Sequence, residues 1–245
     1  MRLTERDMEL LNLLRAARWL TTSQVRRRLF ASATPQAARR RLRLLVGGAY
    51  LRKRQESRMQ EAVFALGRAG KRALEREGAA EIALETVPPK QREHMAGIND
   101  LRIAAELAGQ VGFFFAAWEL PAAGWKHPII PDAVFRLGNQ TFAAEYDCGT
   151  EGIQFFIRTK LPAYRRGFPG FRLAAVLIVA DRAARMEALK HAINDAHGLF
   201  HFTTIEAVRE CGITACFPEV LRRGNGFAAP SGVGSEACRK PGAPS

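Results

Sequence analysis

The chain has 245 residues, 47% apolar and 25% charged, a mix that can bury a real core and excludes disorder as the main state. That length allows one large domain or two modest ones. The longest apolar run, Ala174 to Ala180, is far short of a membrane span, and the charged opening MRLTERDMELL lacks the apolar stretch of a secretory signal. A cytoplasmic location without membrane contact is the expectation.

The net charge of +13 is unevenly spread. Residues 1–78 hold 19 Lys+Arg against 7 Asp+Glu, a net of +12, whereas the remainder holds 18 against 17, a net of +1. An excess confined to one third of a chain points to a polyanion-binding module. Arginine outnumbers lysine 30 to 7, which suits bidentate phosphate and guanine contacts but equally fits a compositional habit.

Thr4, with Glu5 and Asp7 behind it, predicts a helix N-terminus, and Leu10, Leu11, Leu14 and Ala17 supply its apolar stripe. Thr21-Thr22-Ser23 opens a second, short helix carrying Val25 and Leu29. Thr34-Pro35, a cap followed by proline at the first helical position, opens a third that runs to Gly47-Gly48. A strand from Tyr50 to Arg54, a polar tip at Glu56–Gln60, a strand from Ala62 to Leu66 and a helix from Arg68 to Glu77 follow. Three helices and a two-stranded ribbon are the order of a winged helix-turn-helix.

At 100° per residue, Ala38, Leu42, Leu45 and Val46 share one face of the third helix. Gln36, Arg40 and Arg43 fall opposite, with Arg39 on the flank, and the helix contains no acid. Arginine and glutamine on such a face can reach base edges in the major groove. Arg52, Lys53, Arg54 and Arg58 of the ribbon would touch the adjoining backbone. A basic surface serving a protein contact is the competing reading.

Glu81 to Lys90 reads as a linker ending in Pro88-Pro89, and a second unit begins near Gln91. Its first helix spans about 92–109, with strand-like runs at 113–119, 129–137 and 141–147. A helix over 153–166, interrupted by Pro162, precedes a buried strand at 173–180. A helix at 182–197, a short strand at 200–203 and a last helical turn or two complete it. From Gly224 onward Gly, Pro, Ser and Ala dominate, and 224–245 reads as a disordered tail.

Four cysteines in so long a chain, with no CxxC pair, do not look like a disulfide framework. His197, His201, Cys211 and Cys216 match no common zinc spacing, which favours a strand histidine and small buried thiols. His94, before or at a helix start, is more simply structural than functional.

Gly138-Asn139 separates two alternating segments and predicts a tight hairpin. Partner numbers then sum to 277, Asp132 lies opposite Glu145, and Asp147 shares their face. Like charges opposed on a sheet call for compensation. Mg²⁺ held by Asp132, Glu145 and Asp147 would supply it, as would a solvated rim or neutralisation by Arg136 and Lys160.

The order helix, three strands, helix, strand, with Pro131-Asp132 and Glu145-Tyr146-Asp147, resembles the PD-(D/E)xK nuclease core. The blocks LTERDMELLNLL, LTTSQV, ARRRLRLL, GGAYLRKR and VFALGRAGKRAL are similar to the winged-helix part of the replication-relaxation family. HMAGINDLRIAAELA, PDAVF, AAEYDCGTEG and KLPAY resemble its second half. Together these blocks cover about residues 3–205. The resemblance implies a mixed α/β (α+β) protein: a winged helix over 1–80, a linker over 81–90 and a restriction-endonuclease-like αβββαβ domain over 91–215. It also implies that Asp132 and Glu145 match the metal-binding acids and that Glu106 matches an extra acid on the preceding helix. The motif lysine is replaced by Asp147, and Lys160 is the candidate to stand in for it.

The expected function is therefore binding of double-stranded, plasmid or mobile-element DNA in replication or relaxation. Mg²⁺-dependent cleavage would use Glu106, Asp132, Glu145 and Lys160, and a homodimer or other replication proteins are candidate partners. The alternative is a winged-helix transcriptional regulator whose nuclease-like unit is inactive and serves dimerisation or partner binding.

Overall fold

The computed structural model describes residues 2–55, 57, 59–80, 84, 92–150, 152–168, 172–195, 198–217, 220 and 221. The expected linker, apart from Leu84, and the expected tail lie outside them, as do Arg58 and His197. The chain is a mixed α/β protein that divides into two compact units between Asn99 and Asp100. Among the described residues no helix is long and apolar enough to cross a membrane.

The first unit starts with α1 (Glu5–Ala17), whose N-cap Thr4 and Asp7 form a reciprocal capping box. The Thr4 amide donates to Asp7 Oδ2 at 2.7 Å and the Asp7 amide to Thr4 Oγ1 at 3.3 Å. Leu10, Leu11, Leu14 and Ala17 are buried as the stripe requires. Strand β1 (Trp19–Thr21) then intervenes, an element that the sequence pattern did not announce. Thr21 closes it and caps α2 (Thr22–Leu29), with Gln24 answering from the third helical position. Thr34 caps α3 (Pro35–Gly47). Strands β2 (Leu51–Arg54) and β3 (Val63–Leu66) and helix α4 (Arg68–Arg76) follow.

The expected two-stranded ribbon is a three-stranded antiparallel sheet in the order β1-β3-β2, with Trp19 and Arg52 both opposite Ala65. Trp19 and Leu20, on the strand β1 that pairs with β3, are almost completely buried. Helix α4 closes on this sheet at Gly70, where any Cβ would collide with the Tyr50 carbonyl oxygen. Residues 92–99 open α5 (Arg92–Leu107) and belong to the same unit. The Asn99 amide there donates to the carbonyls of Ala17 (3.2 Å) and Trp19 (2.7 Å), holding the chain where α1 turns into β1.

The second unit holds a five-stranded sheet in the order β4-β5-β6-β7-β8. Strands β4 (Val111–Ala116), β5 (Ala133–Leu137) and β6 (Gln140–Asp147) form an antiparallel meander; β7 (Ala175–Ala180) and β8 (Phe200–Thr204) run parallel to β6. Between β6 and β7 lies one helical stretch: α6 (Ile153–Phe155), a π-helical turn (Phe156–Lys160) and α7 (Leu161–Arg166). Pro162 does not end it. The backbone widens just before the proline, and the Leu161 amide reaches back five residues to the Phe156 carbonyl.

Helix α8 (Ala183–Ile193) stops four residues earlier than expected because Asn194 adopts a left-handed conformation, φ +41°. The expected strands at 113–119, 129–137 and 173–180 are likewise shorter; the chain turns at Ala117–Gly124 and enters β5 only at Ala133. Helix α9 (Ile205–Cys211) and a 3₁₀ turn (Ile213–Cys216) follow β8.

Ala143, Val176, Ile178 and Ala180 on one sheet face pack with Phe156, Leu161, Tyr164 and Leu189. Phe135, Phe142 and Phe217 stack in another group, with centroids 5.5 and 4.4 Å apart. Buried Asp100 is paired with Arg209, and Arg102 with Glu119, so these charges are compensated where the core encloses them.

Candidate functional site

On α3 the geometry follows the helical periodicity. Ala38, Leu42 and Leu45 are buried and Val46 is half-buried, while Gln36, Arg39, Arg40 and Arg43 are all exposed. Arg41 leaves this row. Its Nε donates to Asp7 Oδ1 at 2.8 Å, a second nitrogen meets Oδ2, and the same nitrogen reaches the Arg2 carbonyl at 3.3 Å. Burial alone would push the Asp7 carboxyl up, yet the Arg41 guanidinium and the Thr4 donors hold it below its ordinary value. The exposed row of α3 thus keeps its charge without an acid of its own helix beside it. Arg52, Lys53 and Arg54 are exposed on β2, with Arg52 Nε donating to the Leu66 carbonyl at 3.1 Å.

The hairpin of the second unit has the expected register. Ala133 faces Ala144 and Leu137 faces Gln140, so partners sum to 277. Gly138 takes φ +56° at the first turn position, a conformation that suits glycine. Asp132 immediately precedes β5 and its Oδ2 accepts the Tyr146 amide at 2.8 Å. Glu145, 3% exposed, lies on the Ala143 face beneath the α6–α7 stretch.

From that stretch, Lys160 Nζ donates to Glu145 Oε2 at 2.6 Å and the Tyr164 hydroxyl donates to Oε1. A spacing of four residues places both donors on one helix face. Burial, and secondarily the Asp132 charge, pushes the Glu145 carboxyl up to about 8, against the opposing pull of Lys160 and Tyr164. Burial and the adjacent Glu145 raise the Tyr164 hydroxyl well above its usual range.

The three-acid patch does not form. Asp147 is taken by Arg185, whose Nε reaches Oδ1 at 3.1 Å and whose terminal nitrogen reaches Oδ2 at 2.8 Å. Asp147 Oδ1 also accepts the Gly149 amide at 2.7 Å. Among the described residues no three His, Cys, Asp or Glu side chains come together as a metal-holding group, so Glu106, half-buried on α5, does not complete one with Asp132 and Glu145. Mg²⁺ requires about six oxygen ligands, mostly waters and ionised carboxylates. A buried Glu145 with both oxygens on protein donors does not fit that requirement. The compensating cation is Lys160, one of the alternatives open from the sequence; Arg136 instead donates to the Gly138 carbonyl at 3.2 Å.

No zinc cluster forms among the described residues either: the His201 ring packs edge-on against Phe217, and burial raises the Cys216 thiol to about 11. Cys148 and Cys216 are free thiols. His94 is half-buried in the first turn of α5.

A family model described as Replication-relaxation matches residues 11–169. The chain belongs to the replication-relaxation family. The match spans α3, the β2–β3 hairpin, both hairpin acids, Lys160 and Tyr164. No curated protein and no solved structure matches this replication-relaxation protein. Membership supports a role in replication and relaxation.

Of the residues expected at its acid site, the structure brings together Asp132, Glu145 and Lys160. It does not bring Asp147 into that group. Tyr164, Arg185 and Arg41 escaped the sequence reading. The KLPAY block contains Tyr164, and its position four residues after Lys160 was the available signal. Arg185 lies 38 residues beyond Asp147, and no local pattern links the two.

Proposed function

We propose that this protein binds double-stranded DNA, plasmid or mobile-element, through a winged helix built from residues 1–80, in support of replication or relaxation. One observation carries the reading: α3 buries Ala38, Leu42 and Leu45 while exposing Gln36, Arg39, Arg40 and Arg43 on a helix without acids. A major groove about 12 Å wide admits such a helix, and its arginines can fork onto guanine. The exposed cations of β2 then lie on the hairpin that contacts the flanking backbone.

Association should weaken steeply with salt, since each neutralised phosphate contributes a slope of about −0.9 in log K against log salt. Arg40→Ala combined with Arg43→Ala should lose roughly 100-fold in affinity at fixed salt, with an unchanged melting temperature because both side chains are exposed. A flat salt response by fluorescence anisotropy, or wild-type affinity in the double variant, refutes the interface.

The order α5-β4-β5-β6-α6/α7-β7 supports a nuclease-like αβββαβ core for the second unit. Engagement of Glu145 by Lys160 and Tyr164 favours the reading in which that core is an inactive scaffold for dimerisation or partner binding. Supercoiled plasmid incubated with pure protein and Mg²⁺ or Mn²⁺ should then stay intact. Nicking that disappears in Asp132→Ala would assign cleavage to Asp132, Glu145 and Lys160, with Mg²⁺ as cofactor.

A further inference from the structure

Beyond the duplex interface, we propose a second nucleic-acid site in the second unit: an arginine-lined cavity that takes one nucleotide of a single strand. The cavity, about 630 Å³, is bounded by Tyr164, Arg165, Arg166, Phe168, Arg172 and Leu199 among others. That volume lies within the range of small-ligand sites, which starts near about 300 Å³. No acid is among the described residues that line it.

Arg165 spends one donor on the Ile193 carbonyl at 3.2 Å, and a guanidinium has five. Arg166 and Arg172 are exposed and form no ion pair with any described residue. Among the described residues, these three cations at one opening have no carboxylate partner, an arrangement matched to phosphate oxygens. The C-terminal end of α7 contributes only a partial negative charge there, which three full positive charges outweigh.

Tyr164, Phe168, Leu173 and Leu199 supply the apolar and aromatic part of the lining. Phe168 packs against Tyr164 (5.6 Å between centroids), Trp125 (4.9 Å) and His127 (5.1 Å). Phosphate-binding cations beside an aromatic wall are what a base with its backbone requires. A base inside a duplex is stacked on its neighbours and cannot enter, so the occupant is a nucleotide of an unpaired strand. Tyr164 links the cavity to the acid pair, since its ring lines the wall and its hydroxyl donates to Glu145.

The test uses the full chain carrying Arg40→Ala and Arg43→Ala, so that the α3 interface is silenced, and a labelled single-stranded hexathymidylate read by anisotropy. Binding should persist in this background. Arg166→Ala and Arg172→Ala should each weaken it about tenfold. Arg158→Ala, an equal charge change on an exposed residue outside the lining, should change it less than twofold. Thymidine monophosphate should displace the strand at lower concentration than inorganic phosphate, because only the nucleotide reaches the aromatic wall.

The proposal is overturned if the Arg158 variant loses as much as the other two, or if neither cavity variant loses affinity. It is equally overturned if phosphate competes as well as the nucleotide, or if a duplex of the same length binds this background as tightly. Circular dichroism of each variant shows that any loss is not unfolding. Failure of the duplex interface would appear in the α3 variants alone and leaves this result independent.

Discussion

A carboxyl enclosed beside a second acid is tolerable only where donors meet it, and Glu145 meets two, from Lys160 and Tyr164. Its ordinary value of 4.5 is raised to about 8, first by burial and then by Asp132. A carboxyl raised on folding binds more protons in the native state than in the unfolded one. Its contribution to stability is therefore complete below about pH 4.5 and is lost as pH rises through about 8. Glu145→Gln, which cannot ionise, should erase that decline, a difference on the order of a few kcal/mol between the unfolding free energies measured in urea at pH 5 and pH 8. Equal declines in both proteins would contradict the assigned shift. At this scale the sequence spoke through spacing: Gly138-Asn139 fixed the register that faces Asp132 with Glu145. It was silent on Asp147, because an aspartate in a strand gives no hint of an arginine that arrives 38 residues later.

Helices α1 and α3 are tied by the Asp7–Arg41 pair, so the same Asp7 that caps one helix anchors the other. Asp7 is 1% exposed, and removing its partner leaves a buried carboxylate with only the Thr4 donors. Arg41→Met should cost roughly 3 kcal/mol in chemical denaturation, whereas Arg40→Met, with its side chain in water, should cost almost nothing. The sign with pH is opposite to that of Glu145. Asp7 is held below its ordinary 3.8, so its stabilisation is present above that value and disappears as acid protonates it below. Asp7→Asn should flatten the acid limb accordingly. Helix starts were legible because a capping residue and its third-position partner are local, as at Thr4/Asp7, Thr21/Gln24 and Thr34-Pro35. Strand β1 was not legible. Three residues are too few to show alternation, and Trp19–Thr21 is extended because β3, more than forty positions later, offers it a ladder.

Over the whole chain, charge and fold divide in similar places. The first 78 residues carry +12 of the +13, and the second unit holds three of the four buried acids among the described residues, Asp100, Asp132 and Glu145. Composition alone made the first of these visible. The second required folding, since Asp100 and Arg209, 109 residues apart, meet only when α9 packs on α5.

Strand β2 stands at the margin of its sheet with β3 inside it, and it reads Leu-Arg-Lys-Arg. An open strand margin invites another polypeptide to pair with it, and positive side chains repel that approach. The residues proposed to meet a phosphate backbone are thus also the ones that guard this strand margin. Neutralising Arg52, Lys53 and Arg54 together should remove that guard along with the proposed phosphate contacts, so that weaker DNA binding arrives with clumping of the protein.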